Sequence, residues 1–153
     1  MNTLFSHVCV VTMDERMSVW TDAFVGVTDG KISYLSKHAP EEKPERIIDA
    51  TGMVLMPGLI NCHTHLPMQL LRGYADDLKL QEWLNDYIFP REDRLDGRCV
   101  RAATTLAVAE CLRFGVTSVS DMYYFCDDIC GVVAKSGMKA NISRGTSMFL
   151  GDD

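Results

Sequence analysis

Met56-Pro-Gly-Leu-Ile-Asn-Cys-His-Thr-His65 divides the chain into two textures. Pro57-Gly58 punctuates it, and Leu59-Ile60-Asn61-Cys62 then reads as a short buried strand. His63 and His65 follow at the end of that strand, two residues apart. Alternation along a strand sends both imidazoles to one face and Cys62 and Thr64 to the other. Two neutral imidazoles at the carboxyl end of a strand can hold one divalent metal ion. The alternative is a pair of surface histidines beside a turn.

Upstream, residues 1 to about 55 read as all-β. Leu4 to Met13 and Ser18 to Thr28 are apolar, β-branched runs. Asp29-Gly30 then turns the chain into Lys31 to Leu35, a strong two-residue hairpin signal. A polar loop from His38 to Glu45 is broken by Pro40 and Pro44. Arg46 to Asp49 and Met53 to Met56 read as two further short strands around Gly52.

Downstream the rhythm changes. Leu80, Trp83, Leu84, Tyr87 and Ile88 recur at helical spacing, predicting a helix from Leu80 to Phe89 that Pro90 stops. Arg98 to Phe114 reads as a long Ala-rich helix closed by Gly115, and Asp127 to Ser136 as a helix closed by Gly137. Val116 to Ser120 and Met138 to Ser143 read as strands. The order strand, helices, strand, helix, strand predicts a parallel sheet with right-handed crossovers. Three such strands fit the start of an eight-stranded barrel or a doubly wound sheet. The chain ends at Gly151-Asp152-Asp153 without the helix expected to cover the last strand.

Composition bounds the function. The 153 residues are 47% hydrophobic and 24% charged, an ordinary globular balance. The net charge is −6 and Lys and Arg form no cluster, so a phosphate-backbone footprint is missing and nucleic acid is not an expected partner. No apolar run approaches the ~20 residues that cross a bilayer, and the N-terminus lacks the pattern of a secretory signal. A cytoplasmic location follows as the expectation, with Cys9, Cys62, Cys99, Cys111, Cys126 and Cys130 as reduced thiols.

Several other residues could carry chemistry. Asp121 and Arg144 stand at the ends of predicted strands, where ligands collect in parallel α/β folds. Asp121 reads equally as a local cap; Arg144 reads as a donor fork for a polar or anionic group, or as a solvated charge. The run Arg91-Glu92-Asp93-Arg94 reads by itself as a solvated face, and Trp83 with Tyr87 as core. Cys126 and Cys130, one helical turn apart, read as core cysteines rather than a metal site. Asn141-Ile142-Ser143 matches a glycosylation pattern but lies in a strand expected to be buried. A catalytic zinc usually takes three protein ligands. His7 and His38 both lie in the β-rich half, so further ligands are expected beyond Asp153 or the metal binds weakly.

The stretch from Met56 to His65 resembles the first-strand signature of the amidohydrolase superfamily. Pro67 to Leu78, Glu82-Trp-Leu84, Pro90 to Arg94, Gly115 to Met122 and Ser143-Arg-Gly145 extend the likeness. Together they are similar to the branch that holds 5-methylthioadenosine/S-adenosylhomocysteine deaminases and related chlorohydrolases. The resemblance implies an α/β architecture. Residues 1–55 would be the N-terminal part of a small β-sandwich, and residues 56–153 the first three strands or so of a partial (β/α)8 TIM-like barrel. It implies one divalent metal, usually zinc, with His63 and His65 as two ligands, and Glu92 and Arg144 as substrate-binding residues. The implied reaction is hydrolytic deamination of an adenosine-type nucleoside with release of ammonia. The catalytic acid/base and the remaining ligands would lie beyond Asp153, so this portion alone is expected to be inactive. A chlorohydrolase, a guanine or cytosine deaminase, a barrel completed by a separate polypeptide, and a non-catalytic metal-binding or interaction module are the alternatives. Small-molecule nucleoside, no nucleic acid and no membrane are the partner expectations; homo-oligomerisation of a full-length protein stays open.

Overall fold

The computed structural model describes residues 1–145, so the expectation about the chain end at residues 151–153 lies outside the described residues. The chain divides into two compact units, Met1–Pro57 and a second that begins at Gly58.

The first unit is a sheet. Strands β1 (Thr3–Val11), β2 (Val19–Thr28), β3 (Lys31–Ser36) and β4 (Arg46–Asp49) lie in the order β3-β2-β1-β4, and β5 (Val54–Leu55) also pairs with β1. The β1-β2 and β2-β3 pairs are antiparallel, whereas β4 and β5 run parallel to β1. At the tip of the β2-β3 hairpin Asp29 has φ +51° and Gly30 has φ +74°. Positive φ at both central residues is what a type I′ turn demands, and it explains the Asp-Gly choice. Val8, Val10, Ala23, Val25 and Ala50 form the buried core of this unit. β1 slips register against β2 between Phe5 and Val8, and His7 takes up the irregularity with φ +55°. Its ring is exposed and lies 3.1 Å from Asp22 Oδ1.

The second unit is α/β. β6 (Leu59–Thr64), β7 (Val116–Tyr123) and β8 (Lys139–Arg144) form a parallel sheet in the order β6-β7-β8. A 3₁₀ turn spans Leu66–Leu71, α1 covers Leu80–Glu82, a π-turn covers Trp83–Ile88, and α2 covers Phe89–Glu92. The long helices are α3 (Gly97–Arg113) and α4 (Cys126–Ser136). Asp96 caps α3 by accepting the Cys99 N–H at 2.7 Å. Gly115 (φ +79°) follows α3 and Gly137 (φ +76°) caps α4, each in the left-handed conformation that ends a helix. Leu66, Val100, Ala107, Val108, Val119, Tyr123, Ile129, Val133 and Met138 make one buried core between sheet and helices. Arg72 forks onto Glu110 at 2.9 and 2.5 Å and Gln69 also donates to Glu110, which ties the 3₁₀ turn to α3. Among the described residues, no helix is long and apolar enough to cross a membrane.

Five expectations need correction. Leu59-Ile60-Asn61-Cys62 is a strand but not a buried one: Leu59, Ile60 and Cys62 are exposed, because among the described residues β6 pairs only with β7. Pro90 does not stop the helix: the π-turn precedes it, with Phe89 N–H donating to Leu84 five residues back, and α2 continues to Glu92. The wider turn accommodates a residue with no N–H and relieves its clash with the preceding turn. Cys130 is exposed, not core, because α4 turns Ile129 and Val133 inward instead. Strand β8 is mostly exposed, since β7 pairs with it on one side and only Ile142 packs against the core. Trp83 is half-buried on the wall of a cavity, not in the core.

Candidate active site

Strand β6 delivers the two histidines through an irregular end. Asn61 pairs with Val119 and Thr64 with Asp121, so the register slips by one residue between them. Such a bulge re-aims side chains at a sheet margin. Asn61 Oδ1 accepts the His63 N–H at 3.2 Å and holds this turn of backbone. The rings of His63 and His65 lie 5.2 Å apart, centre to centre, at 84° to each other. His63 is exposed and His65 half-buried.

His65 Nδ1 is 2.6 Å from the Met122 carbonyl oxygen. A carbonyl only accepts, so the proton sits on Nδ1 and the lone pair on Nε2. This is the arrangement in which a metal-binding histidine is oriented by its other nitrogen. The donor set of two adjacent imidazoles, one with its tautomer already fixed, fits a divalent ion. Among the described residues no group of three or more His, Cys, Asp or Glu comes together as a metal cluster.

Asp121 lies on β7 and is 1% exposed. Its Oδ1 accepts the Leu66 N–H at 2.7 Å, while its Oδ2 is buried without a hydrogen-bond partner among the described residues. Burial pushes this carboxyl above its ordinary value, against the opposing pull of the Leu66 N–H and of His65. Asp121 therefore fixes the residue after His65 from 55 positions away in the sequence, which is not the local cap that was one of its two readings.

Glu92 belongs to α2 and is half-buried, which sets it apart from its charged neighbours. The Tyr123 hydroxyl, from the end of β7, donates to Glu92 Oε1 at 2.6 Å. Burial first, and then the Glu92 carboxylate, push the Tyr123 phenol far above its ordinary value, so it stays a donor. Arg144, at the end of β8, is exposed and makes no ion pair among the described residues.

These pieces meet. A cavity of about 380 Å³ is lined by His65, Glu92, Tyr123 and Arg144, with Met68, Trp83, Leu84, Ile88, Phe89 and Met122 among its apolar walls. Of the four residues foreseen as ligands or substrate contacts, three line one cavity; His63 does not line it and joins it only through its ring contact with His65. Tyr123 was not foreseen. The period of two that pairs His63 with His65 also pairs Asp121 with Tyr123, and that was the available signal. Tyr87 turns away to pack edge-on against Tyr74, with Arg91 over the Tyr74 ring.

Comparison with known proteins places these features in a family. The Amidohydrolase family profile matches residues 54–130. The chain is 42% identical over 142 residues to a 5′-deoxyadenosine deaminase of Methanosarcina mazei, covering 93% of this chain and 33% of the relative. It is 40% identical over 147 residues to a 5-methylthioadenosine/S-adenosylhomocysteine deaminase of Pelotomaculum thermopropionicum, covering 94% and 34%. A solved adenosine deaminase from Xanthomonas campestris with bound zinc superposes with a TM-score of 0.83 at 37% identity, over 91% of this chain and 33% of that one. The chain thus spans about a third of the length of the curated relatives it matches. The family profile covers both histidines, Glu92 and Tyr123, and on that match the chain belongs to the amidohydrolase family.

Proposed function

We propose that this chain is the part of a metal-dependent hydrolytic deaminase that supplies two metal ligands and one wall of an adenosine-type nucleoside site. The observation that carries the reading is the convergence of His65, Glu92 and Arg144 on one cavity of about 380 Å³. 5-Methylthioadenosine and S-adenosylhomocysteine are the proposed substrates, with ammonia as a product. The likeness to relatives that carry deaminase names over more than nine-tenths of this chain supports it.

In this reading residues 1–55 form part of a small β-sandwich and residues 56–153 the first strands of a (β/α)8 barrel. His63 and His65 hold one divalent ion, zinc by analogy with the zinc-bound deaminase. Such an ion, when bound, lowers the pKa of its water toward ~7 and supplies hydroxide at neutral pH. Met122, through its carbonyl, keeps the His65 proton on Nδ1 and so keeps Nε2 free for the ion. Glu92 accepts hydrogen bonds from the ribose hydroxyls. Arg144 donates to a polar group on the nucleoside. The apolar wall of Trp83, Leu84, Ile88 and Phe89 excludes water from the ring. The remaining ligands and the proton-transferring group are placed outside these 153 residues, so the chain by itself turns over nothing.

Ammonia release from 5-methylthioadenosine, S-adenosylhomocysteine and adenosine tests this. The natural-length polypeptide that carries this sequence is expected to release ammonia from at least one of them, and the 153-residue chain from none. A natural-length protein silent on all three would remove the nucleoside reading.

A further inference from the structure

The Tyr123–Glu92 contact is more than packing. Tyr123 is 4% exposed and sits on β7, which is paired on both sides by β6 and β8. It belongs, with Leu66, Val119 and Ile129, to the buried core of the unit. A glutamate has three side-chain torsions, and ordering a free one on a surface costs entropy. Glu92 lies instead on a four-residue helix behind a π-turn and a proline. Among the described residues, the Tyr123 hydroxyl makes the only side-chain hydrogen bond between residues 80–92 and β7.

We propose that Tyr123 is a positioning residue for substrate recognition, holding Glu92 Oε1 so that Oε2 faces the cavity as the acceptor for a vicinal diol. The proposal rests on the deaminase reading, in which Glu92 meets the ribose. It extends that reading by naming what aims the carboxylate. The donor is held in the buried core, while the acceptor it aims lines the cavity. Tyr123 acts through Glu92, so its effect is confined to ligands that carry the diol.

The test uses the natural-length protein and a matched pair of ligands, adenosine and 2′,3′-dideoxyadenosine. Dissociation constants are measured by calorimetry on metal-stripped protein, and kcat and KM on the zinc-loaded form. Tyr123→Phe is expected to weaken adenosine binding by about tenfold, the scale of one hydrogen bond to a charged group, and to raise KM with little change in kcat. Dideoxyadenosine binding is expected to stay as in wild type. In a Glu92→Ala background, Tyr123→Phe adds nothing further. In a Glu92→Asp background, where the shortened carboxylate is withdrawn from the hydroxyl, Tyr123→Phe is likewise expected to add nothing, and wild-type-like circular dichroism of Tyr123→Phe checks that the strand is intact. Equal losses on both ligands, or an additive loss in the Glu92→Ala background, would overturn the positioning role and leave the deaminase reading standing. A wild-type protein that neither binds nor deaminates adenosine-type nucleosides would overturn both.

Discussion

Replacing Asp121 by alanine removes the acceptor that fixes the backbone immediately after His65. Leu66 is 2% exposed, and its N–H reaches Asp121 Oδ1 at 2.7 Å. Without the carboxylate this N–H is left buried and unpaired, which costs about 1–3 kcal/mol. With a urea dependence of about 1–3 kcal/mol per molar, a loss of about 2 kcal/mol moves the unfolding midpoint by about 1 M. Asp121→Asn has a different outcome. The amide oxygen still accepts from Leu66, and the substitution replaces a buried carboxyl whose second oxygen has no partner among the described residues. Asparagine is therefore expected to cost less than about 1 kcal/mol. The sequence has two tryptophans, Trp20 in the first unit and Trp83 in the second. In a Trp20→Phe background, urea titration of Trp83 fluorescence on metal-free protein reads the second unit. An unchanged midpoint in Asp121→Ala would refute the value assigned to the Leu66 bond. Equal losses in the two variants would show that the second carboxyl oxygen has a stabilising role the hydrogen-bond pattern does not account for.

Three further outcomes follow from the same structure. His65→Ala in the natural-length protein is expected to weaken zinc binding by at least about 100-fold in chelator competition, since losing even an outer-shell partner costs about 10–100-fold; undiminished affinity would exclude His65 as a ligand. Gly131→Ala and Gly137→Ala should have opposite signs in thermal or urea unfolding. Neither added methyl meets another atom within 4 Å, but Gly131 is inside α4 and gains about 0.5–1 kcal/mol, whereas Gly137 at φ +76° loses about 1 kcal/mol. Asp14, Asp49 and Asp96 each accept local hydrogen bonds that hold their carboxyls below the ordinary value. The folded state then binds protons less readily than the unfolded one. Their stabilisation is fully present above an unfolded pKa near 3.8 and is lost as pH falls through the lower folded values. An acid titration of Asp96→Asn that retains the full wild-type slope below pH ~4 would remove Asp96 from that set.

Much of this was legible in the chain because it depends on local chemistry. Asp29-Gly30 forces a two-residue hairpin, Gly115 and Gly137 end helices, and the β-branched run from Val116 extends as a strand. His63 and His65 were legible because a period of two needs no knowledge of the rest of the molecule. Pro90 misled because a proline stops a helix only when the preceding turn is α; a π-turn makes room for it. Cys130 and β8 misled because hydrophobic character predicts burial only where a partner surface exists. Glu92 stood out only through the family resemblance, since nothing in the residue types of Arg91-Glu92-Asp93-Arg94 tells which of the four turns inward. That choice belongs to Tyr123, 31 residues away. Likewise, the Met122 carbonyl that fixes the His65 tautomer lies 57 residues downstream and, being backbone, leaves no mark in residue type.

The π-turn at Trp83–Ile88 also sets an angular phase. Closing a turn on the fifth residue back rather than the fourth takes in one extra residue, about 100° of rotation for everything that follows. Glu92 faces Tyr123 only because that rotation has been added. Deleting a single residue between 83 and 88 would return the turn to α, swing Glu92 away from the wall and press the Pro90 ring against the preceding carbonyl. Length in this short segment is thereby constrained more tightly than identity: substitutions that keep the count can drift, whereas a one-residue insertion or deletion would dismantle this wall of the cavity while leaving the sheet and both long helices in place.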